Sequence, residues 1–192
     1  AGGASLPLGD DAFARVTLVG QTVSIYGLST SFFYVGSNGY ITFDYGEQAS
    51  AQSLDGHFAQ RRISALFSDL NPAAGGTVSW RQLSDRVAVT WLNVPEAGST
   101  QPNTMQVEMF LDGRIRLSWL QLAATDGLVG LSRGGGKPTD FIESDVSGYA
   151  ACLPSSAKCD FDRDGDVDMD DFAHLQVCLT GVNAAVTDPV CF

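Results

Sequence analysis

The first 151 residues contain no cysteine, and the whole chain of 192 residues has only two histidines, His57 and His174. The missing thiols exclude a disulfide frame or a thiolate metal site for the larger part of the molecule. Two isolated histidines, neither with a second histidine at ligand spacing, make poor candidates for a general base or a metal pair. Positive charge is also scarce, at 11 Lys and Arg against 22 Asp and Glu, for a formal charge of −11. Nucleic acid is therefore excluded as a partner, because no basic patch offsets phosphate repulsion. An anionic membrane surface is disfavoured for the same reason. No apolar run approaches the ~18 residues of a membrane-spanning helix. The start, Ala1-Gly-Gly-Ala, has no basic-then-apolar leader, so a leader either never existed or has been removed. No helix-period segment occurs before residue 165.

What is present falls into two parts, 1–147 and 148–192. The first alternates with period two. Met105, Val107, Met109 and Leu111 oppose Gln106 and Glu108. Ile115, Leu117 and Trp119 oppose Arg114, Arg116 and Ser118. Val87, Val89 and Trp91 alternate with Arg86, Ala88 and Thr90. Such strands bury one face. Three hairpins are expected. Phe33 to Asp44 turns at Ser37-Asn38-Gly39, Val78 to Leu92 at Ser84-Asp85, and Met105 to Leu120 at Asp112-Gly113. Further strands are expected over 14–19, 21–27, 63–69, 128–132 and 140–143. About eight to ten short antiparallel strands of this kind imply two packed sheets. Trp80, Trp91 and Trp119 lie on apolar faces and are expected in the core.

The second part concentrates charge and sulfur. Residues 151 to 192 hold eight acids and two bases, and all four cysteines: Cys152, Cys159, Cys178 and Cys191. An even count around a module too small for its own core predicts two disulfides in an oxidising compartment. A zinc site is the rival, although the spacing offers no C-x-x-C pair. Within this part, Asp160-Phe-Asp162-Arg-Asp164-Gly165-Asp166-Val167-Asp168-Met-Asp170-Asp171 places carboxylates at positions 1, 3, 5, 9 and 12 of a twelve-residue loop, with glycine at 6. This is the ligand spacing of an EF-hand calcium loop. Asp160, Asp162, Asp164, Asp168 and Asp171 would supply side chains, and Asp166 its backbone carbonyl. The following helix, 170–180, presents Phe172, Leu175 and Leu179 on one face. Seven aspartates in twelve residues repel one another without a cation, so Ca²⁺ is the expected cofactor. Calcium and disulfides together point outside the cell.

The loop, its Asp at position 12 and its short leading segment together resemble a type I dockerin repeat of secreted bacterial proteins. In the first part, five strings occur in order: Leu6-Pro-Leu-Gly-Asp-Asp11, Tyr34-Val-Gly-Ser-Asn-Gly-Tyr-Ile-Thr-Phe43, Ile63-Ser-Ala-Leu-Phe-Ser-Asp-Leu-Asn-Pro72, Arg86-Val-Ala-Val-Thr-Trp-Leu-Asn-Val-Pro95 and Asn103-Thr-Met-Gln-Val. Together they resemble the nidogen-type (NIDO-like) extracellular β-sandwich. That resemblance implies a non-catalytic extracellular module.

Other chemistry is weaker. Gly130-Leu-Ser132-Arg-Gly134 matches G-x-S-x-G, but that motif needs a strand-to-helix elbow, and Gly134-Gly-Gly-Lys-Pro138 cannot start a helix. His57 reads as a surface loop residue, and His174 as a packed or capping residue of the calcium-loop helix. A glycosidase pair could be drawn from Asp44, Glu47, Asp69, Glu96 and Glu108. Asp69, in Phe67-Ser-Asp-Leu-Asn-Pro72, reads as a turn cap, with a second calcium as the alternative. Phe32, Tyr34 and Tyr40 would form a sugar-stacking platform if exposed and a second buried layer if not.

The expectation is thus all-β, an antiparallel two-sheet β-sandwich with a small C-terminal EF-hand-like calcium loop plus helix. The function expected is non-catalytic calcium binding for adhesion or assembly at a bacterial cell surface, including as a filament or sheath subunit. A carbohydrate-binding or accessory domain of a secreted hydrolase is the alternative. The partners expected are a protein, another copy of the chain or a carbohydrate, with no nucleic acid and no membrane insertion. No enzyme activity is expected.

Overall fold

A computed structural model describes residues 3–145. The chain divides into two units, Ala1–Ile142 and Glu143–Phe192, and every described strand belongs to the first. The calcium-loop aspartates Asp160, Asp162, Asp164, Asp166, Asp168 and Asp171, the four cysteines, His174 and the 170–180 helix all lie outside the described residues.

The fold is all-β, built from two five-stranded antiparallel sheets. One sheet consists of β1 (Ala4–Leu6), β8 (Thr77–Gln82), β9 (Arg86–Pro95), β10 (Pro102–Phe110) and β11 (Ile115–Gln121), side by side in that order. The other runs β12 (Leu128–Arg133), β7 (Arg61–Phe67), β6 (Tyr40–Thr42), β5 (Phe32–Gly36) and β2 (Phe13–Thr17). A small hairpin, β3 (Val23–Ile25) with β4 (Leu28–Thr30), completes the set. All three expected hairpins form. Gly39 and Gly113 take the positive φ that their turns demand, at 76° and 92°.

The alternating residues behave as their period requires. Val87, Val89, Trp91, Met105, Val107 and Met109 from the first sheet face Phe33, Val35, Ile41, Ile63 and Ala65 from the second, all buried. Removing these side chains from water is the main force holding the sheets together, at about 25 cal/mol per Å² of apolar surface. Two indoles add direction. Trp91 Nε1 donates to the Gly36 carbonyl at 3.0 Å, and Trp119 Nε1 to the Ala65 carbonyl at 2.8 Å. Each bond crosses from one sheet to the other.

Four expectations are corrected. A five-residue helix, α1 (Leu54–Phe58), lies before residue 165; Ser53 caps it by accepting from the Gly56 amide at 3.0 Å. It is too short for periodicity to reveal. No strand forms over 140–143, where the chain follows Pro138 in a turn. Trp119 is not a core residue. It sits on an edge strand, 36% exposed, and only its N–H reaches inward. His57 is no surface loop residue: it is 5% exposed, on α1, packed against the outer face of the second sheet.

Candidate functional site

The turn Ser37-Asn38-Gly39 does more than reverse the chain. Asn38 is fully buried, and its amide nitrogen donates to Asp11 Oδ1 at 2.9 Å and to the Ala49 carbonyl at 3.0 Å. Its amide oxygen accepts from the Leu70 N–H at 2.9 Å. Ser37 accepts from the Ala12 amide through its hydroxyl at 3.0 Å. One turn thus ties the 9–12 loop to the segment after β7. In doing so it brings Asp10 and Asp11, from the opening string, beside Asp69. Carboxylate oxygens of the three lie within 4.8 Å of one another.

Asp69 does not cap its turn, because its carboxylate accepts no hydrogen bond among the described residues. Partial burial, and then the charges of Asp11, Asp10 and Glu96, hold its proton affinity above the ordinary carboxylate range. Glu96 itself accepts from the Ser68 hydroxyl at 2.5 Å. Three hard oxygen donors, on the exposed Asp10 and Asp69 and the half-buried Asp11, suit Ca²⁺ or Mg²⁺ far better than zinc. The sequence had singled out Asp69 alone. Asp10 and Asp11 are 58 residues or more distant along the chain and joined to it only through Asn38, so spacing could not connect them.

The remaining candidate carboxylates are engaged. Asp44 accepts from the Arg61 guanidinium at 2.6 Å and from its backbone amide at 2.9 Å. Glu47 accepts from Arg62 and from Gln60 Nε2. Glu108, outward by parity, is nonetheless 4% exposed because Arg86 and Arg116 close over it. These contacts neutralise and orient the carboxylates, as structural ion pairs do.

A second buried layer lies on the outer face of the second sheet, under the 43–60 segment. Arg62 is fully buried, and its guanidinium carbon lies 4.5 Å from the Tyr40 ring centre and 4.8 Å from that of Phe67. Tyr40 donates its hydroxyl to the Glu47 and Ala49 carbonyls at 3.1 Å. Burial, with the nearby Glu47 charge, raises the Tyr40 phenol well above its usual range. His57 Nδ1 bonds the Ser64 hydroxyl at 2.9 Å, and burial, together with the Arg62 charge, drives its pKa down to about 4. Near pH 7 that imidazole is neutral.

Tyr40 therefore belongs to the buried layer, while Phe32 and Tyr34 are half-buried. Phe13, Tyr34 and Phe32 run in edge-to-face contact, with centroids 5.9 and 6.1 Å apart. Arg15 lies 4.2 Å above the Phe32 ring centre, so that face already has a partner. Ser132, of the G-x-S-x-G string, lies buried on β12 and accepts from the Gly134 amide at 3.0 Å. His57 bonds Ser64 and not Ser132. No helix among the described residues is long and apolar enough to cross a membrane.

These features define an antiparallel β-sandwich module whose described titratable groups are largely committed to holding its own loops. The chain belongs to the NIDO-related family, whose model matches residues 1–147. No curated protein and no solved structure matches it.

Proposed function

We propose that this chain is a non-catalytic extracellular module for adhesion or assembly at a bacterial surface. Its sandwich is the adhesive body. The acidic, cysteine-rich C-terminal part is a dockerin-like calcium clamp, with Asp160, Asp162, Asp164, Asp168 and Asp171 holding Ca²⁺ through side chains and Asp166 through its carbonyl. The observation that carries the non-catalytic reading is the engagement of Asp44, Glu47 and Glu108 by arginines. A general acid must exchange its proton with a substrate, and each of these carboxylates is instead held in an ion pair, Asp44 and Glu47 by one guanidinium each and Glu108 by two. Membership of the NIDO-related family supports the same reading.

The test is calorimetric titration of the full chain with Ca²⁺, alongside Asp160→Ala and Asp171→Ala. Loss of one calcium-binding site in either variant, with the sandwich still folded, is the expected result. Equal binding by all three proteins would refute the clamp. The carbohydrate-binding alternative rests on the half-buried Phe13–Tyr34–Phe32 row, with Phe13 41% exposed. It requires retention on polysaccharide that Phe13→Ala abolishes.

A further inference from the structure

The outer face of the first sheet carries one continuous row of hydrogen-bonding side chains. Ser5 of β1 lies opposite Ser79 of β8, Ser79 opposite Thr90 of β9, Thr90 opposite Gln106 of β10, and Gln106 opposite Ser118 of β11. The register slips of β10 against its two neighbours fall between Asn103 and Met105, so the row itself is unbroken. Neighbouring strands stand ~4.8 Å apart, which extends the row over about 19 Å. Gln106 Nε2 donates to Thr90 Oγ1 at 2.8 Å, which fixes the amide and leaves its oxygen unused among the described residues. The Ser79 and Ser118 hydroxyls likewise bond no described residue.

From Ser79 to Ser118 the row lines a shallow depression of about 520 Å³. One bank is basic. Arg81, Ala88, Glu108 and Arg116 form the next cross-strand row, and Arg86 reaches into it to pair with Glu108 at 2.8 Å. Glu108 is buried beneath Arg86 and Arg116, so this bank presents guanidiniums to water. Arg81 is exposed and pairs with no described residue. The face is thus locally cationic in a chain of formal charge −11. The other bank is apolar, formed by Leu92 and by Leu120, which is 88% exposed.

Each part of this face selects against a class of ligand or for one. The backbone within the sheet is already paired, so an extended peptide gains no ladder there. A compact small molecule needs a cleft that covers most of its surface, and an open depression does not. Nucleic acid needs many cationic contacts with its phosphates, and the unpaired charge here is Arg81. A long ligand with hydroxyls repeated along it collects a contact at every strand, and a chain of pyranose rings has that repeat. Leu92 and Leu120 suit the C–H faces of such rings. The planar fork of Arg81 matches a carboxylate. We infer that the outer face of the first sheet binds a linear polysaccharide of uronic acids, its hydroxyls on the Ser79–Thr90–Gln106–Ser118 row and a carboxylate on Arg81. This rests on the adhesive reading of the sandwich and supplies that body with a ligand. The site is separate from the Phe13–Tyr34–Phe32 row, whose strands β2 and β5 belong to the other sheet.

The experiment is affinity electrophoresis of the full chain through native gels containing polygalacturonate, alginate or uncharged hydroxyethyl cellulose. Calcium is omitted, because it gels both uronate polymers. Binding of the labelled chain to whole cells of the producing bacterium is the second readout. Arg81 and Ser118 are exposed, so Arg81→Gln and Ser118→Glu leave the fold intact, which near-ultraviolet circular dichroism checks. The natural protein should be retarded by a uronate gel. Arg81→Gln should weaken that affinity about tenfold or more by losing a charge-assisted hydrogen bond. Ser118→Glu should weaken it as well, by setting a like charge on the row. Phe13→Ala should be retarded like the natural protein. Retardation that either Arg81→Gln or Ser118→Glu keeps in full, or that Phe13→Ala loses, overturns this site. Retardation by the uncharged polymer alone overturns the uronate assignment. A protein that no gel retards but that cells retain overturns the polysaccharide and leaves adhesion standing. One that neither gels nor cells retain overturns both.

Discussion

Acid should loosen the sandwich through His57. In the unfolded chain its imidazole titrates near its ordinary value of about 6.5; in the fold, burial and Arg62 lower this to about 4. Between those values the unfolded state binds the extra proton, so stability falls as pH falls, and it levels off below the folded value. Above the unfolded value the group contributes its full share. Each unit of separation is worth about 1.4 kcal/mol, so going from pH 7 to pH 5 costs about 2 kcal/mol. With a urea slope of ~2 kcal/mol/M for a domain of this size, the midpoint moves by about 1 M. Tryptophan fluorescence is a clean reporter, because Trp80, Trp91 and Trp119 all lie in the sandwich. The control is His57→Gln, whose amide can still meet Ser64 but carries no proton in this range. Its midpoint should move by much less than that of the natural protein, and the difference isolates the imidazole from every other titrating group. Parallel movement of the two midpoints between pH 7 and pH 5 would exclude His57 as the source of the acid sensitivity.

Three further outcomes are expected. Glu47→Gln strands the buried Arg62 charge and should destabilise by roughly 3 kcal/mol in urea unfolding, and Glu47→Gln combined with Arg62→Met should recover most of that loss. Asp69→Asn should stabilise the sandwich at pH 7 by less than about 1 kcal/mol, since Asp69 faces water. The raised folded value makes the carboxylate's penalty complete above it and absent below the unfolded value. The gain should therefore vanish toward pH 3, and a gain that persists there would argue against charge repulsion. Gly39→Ala meets both a φ of 76° and the Leu66 backbone carbonyl, so thermal denaturation should show a loss of at least about 2 kcal/mol.

Much of the sandwich was legible because a half-buried strand writes its burial into every second residue. Val87, Val89 and Trp91 needed nothing but their spacing, and Asn38-Gly39 and Asp112-Gly113 needed only their φ requirements. The failures have a common cause. Trp119 has the apolar character of a core residue, yet it lies on an edge strand, and strand order is a property of pairing that spacing does not carry. His57 and Arg62 are polar residues whose burial depends on the 43–60 segment folding back over the second sheet. Glu108 occupies an outward position and is buried by arginines from two neighbouring strands. The acidic triad required Asn38 to join distant loops, and only its own identity in the turn string marked it.

The two indole bonds give this molecule an internal gauge. Slippage of one sheet along the other would stretch both donors from their carbonyls at once. Splaying that starts where β11 meets β12 would release Trp119 while Trp91 stayed sealed. Sliding therefore shifts both emissions, whereas gaping at the margin shifts one, and a spectrum taken under load or on assembly tells which motion has occurred.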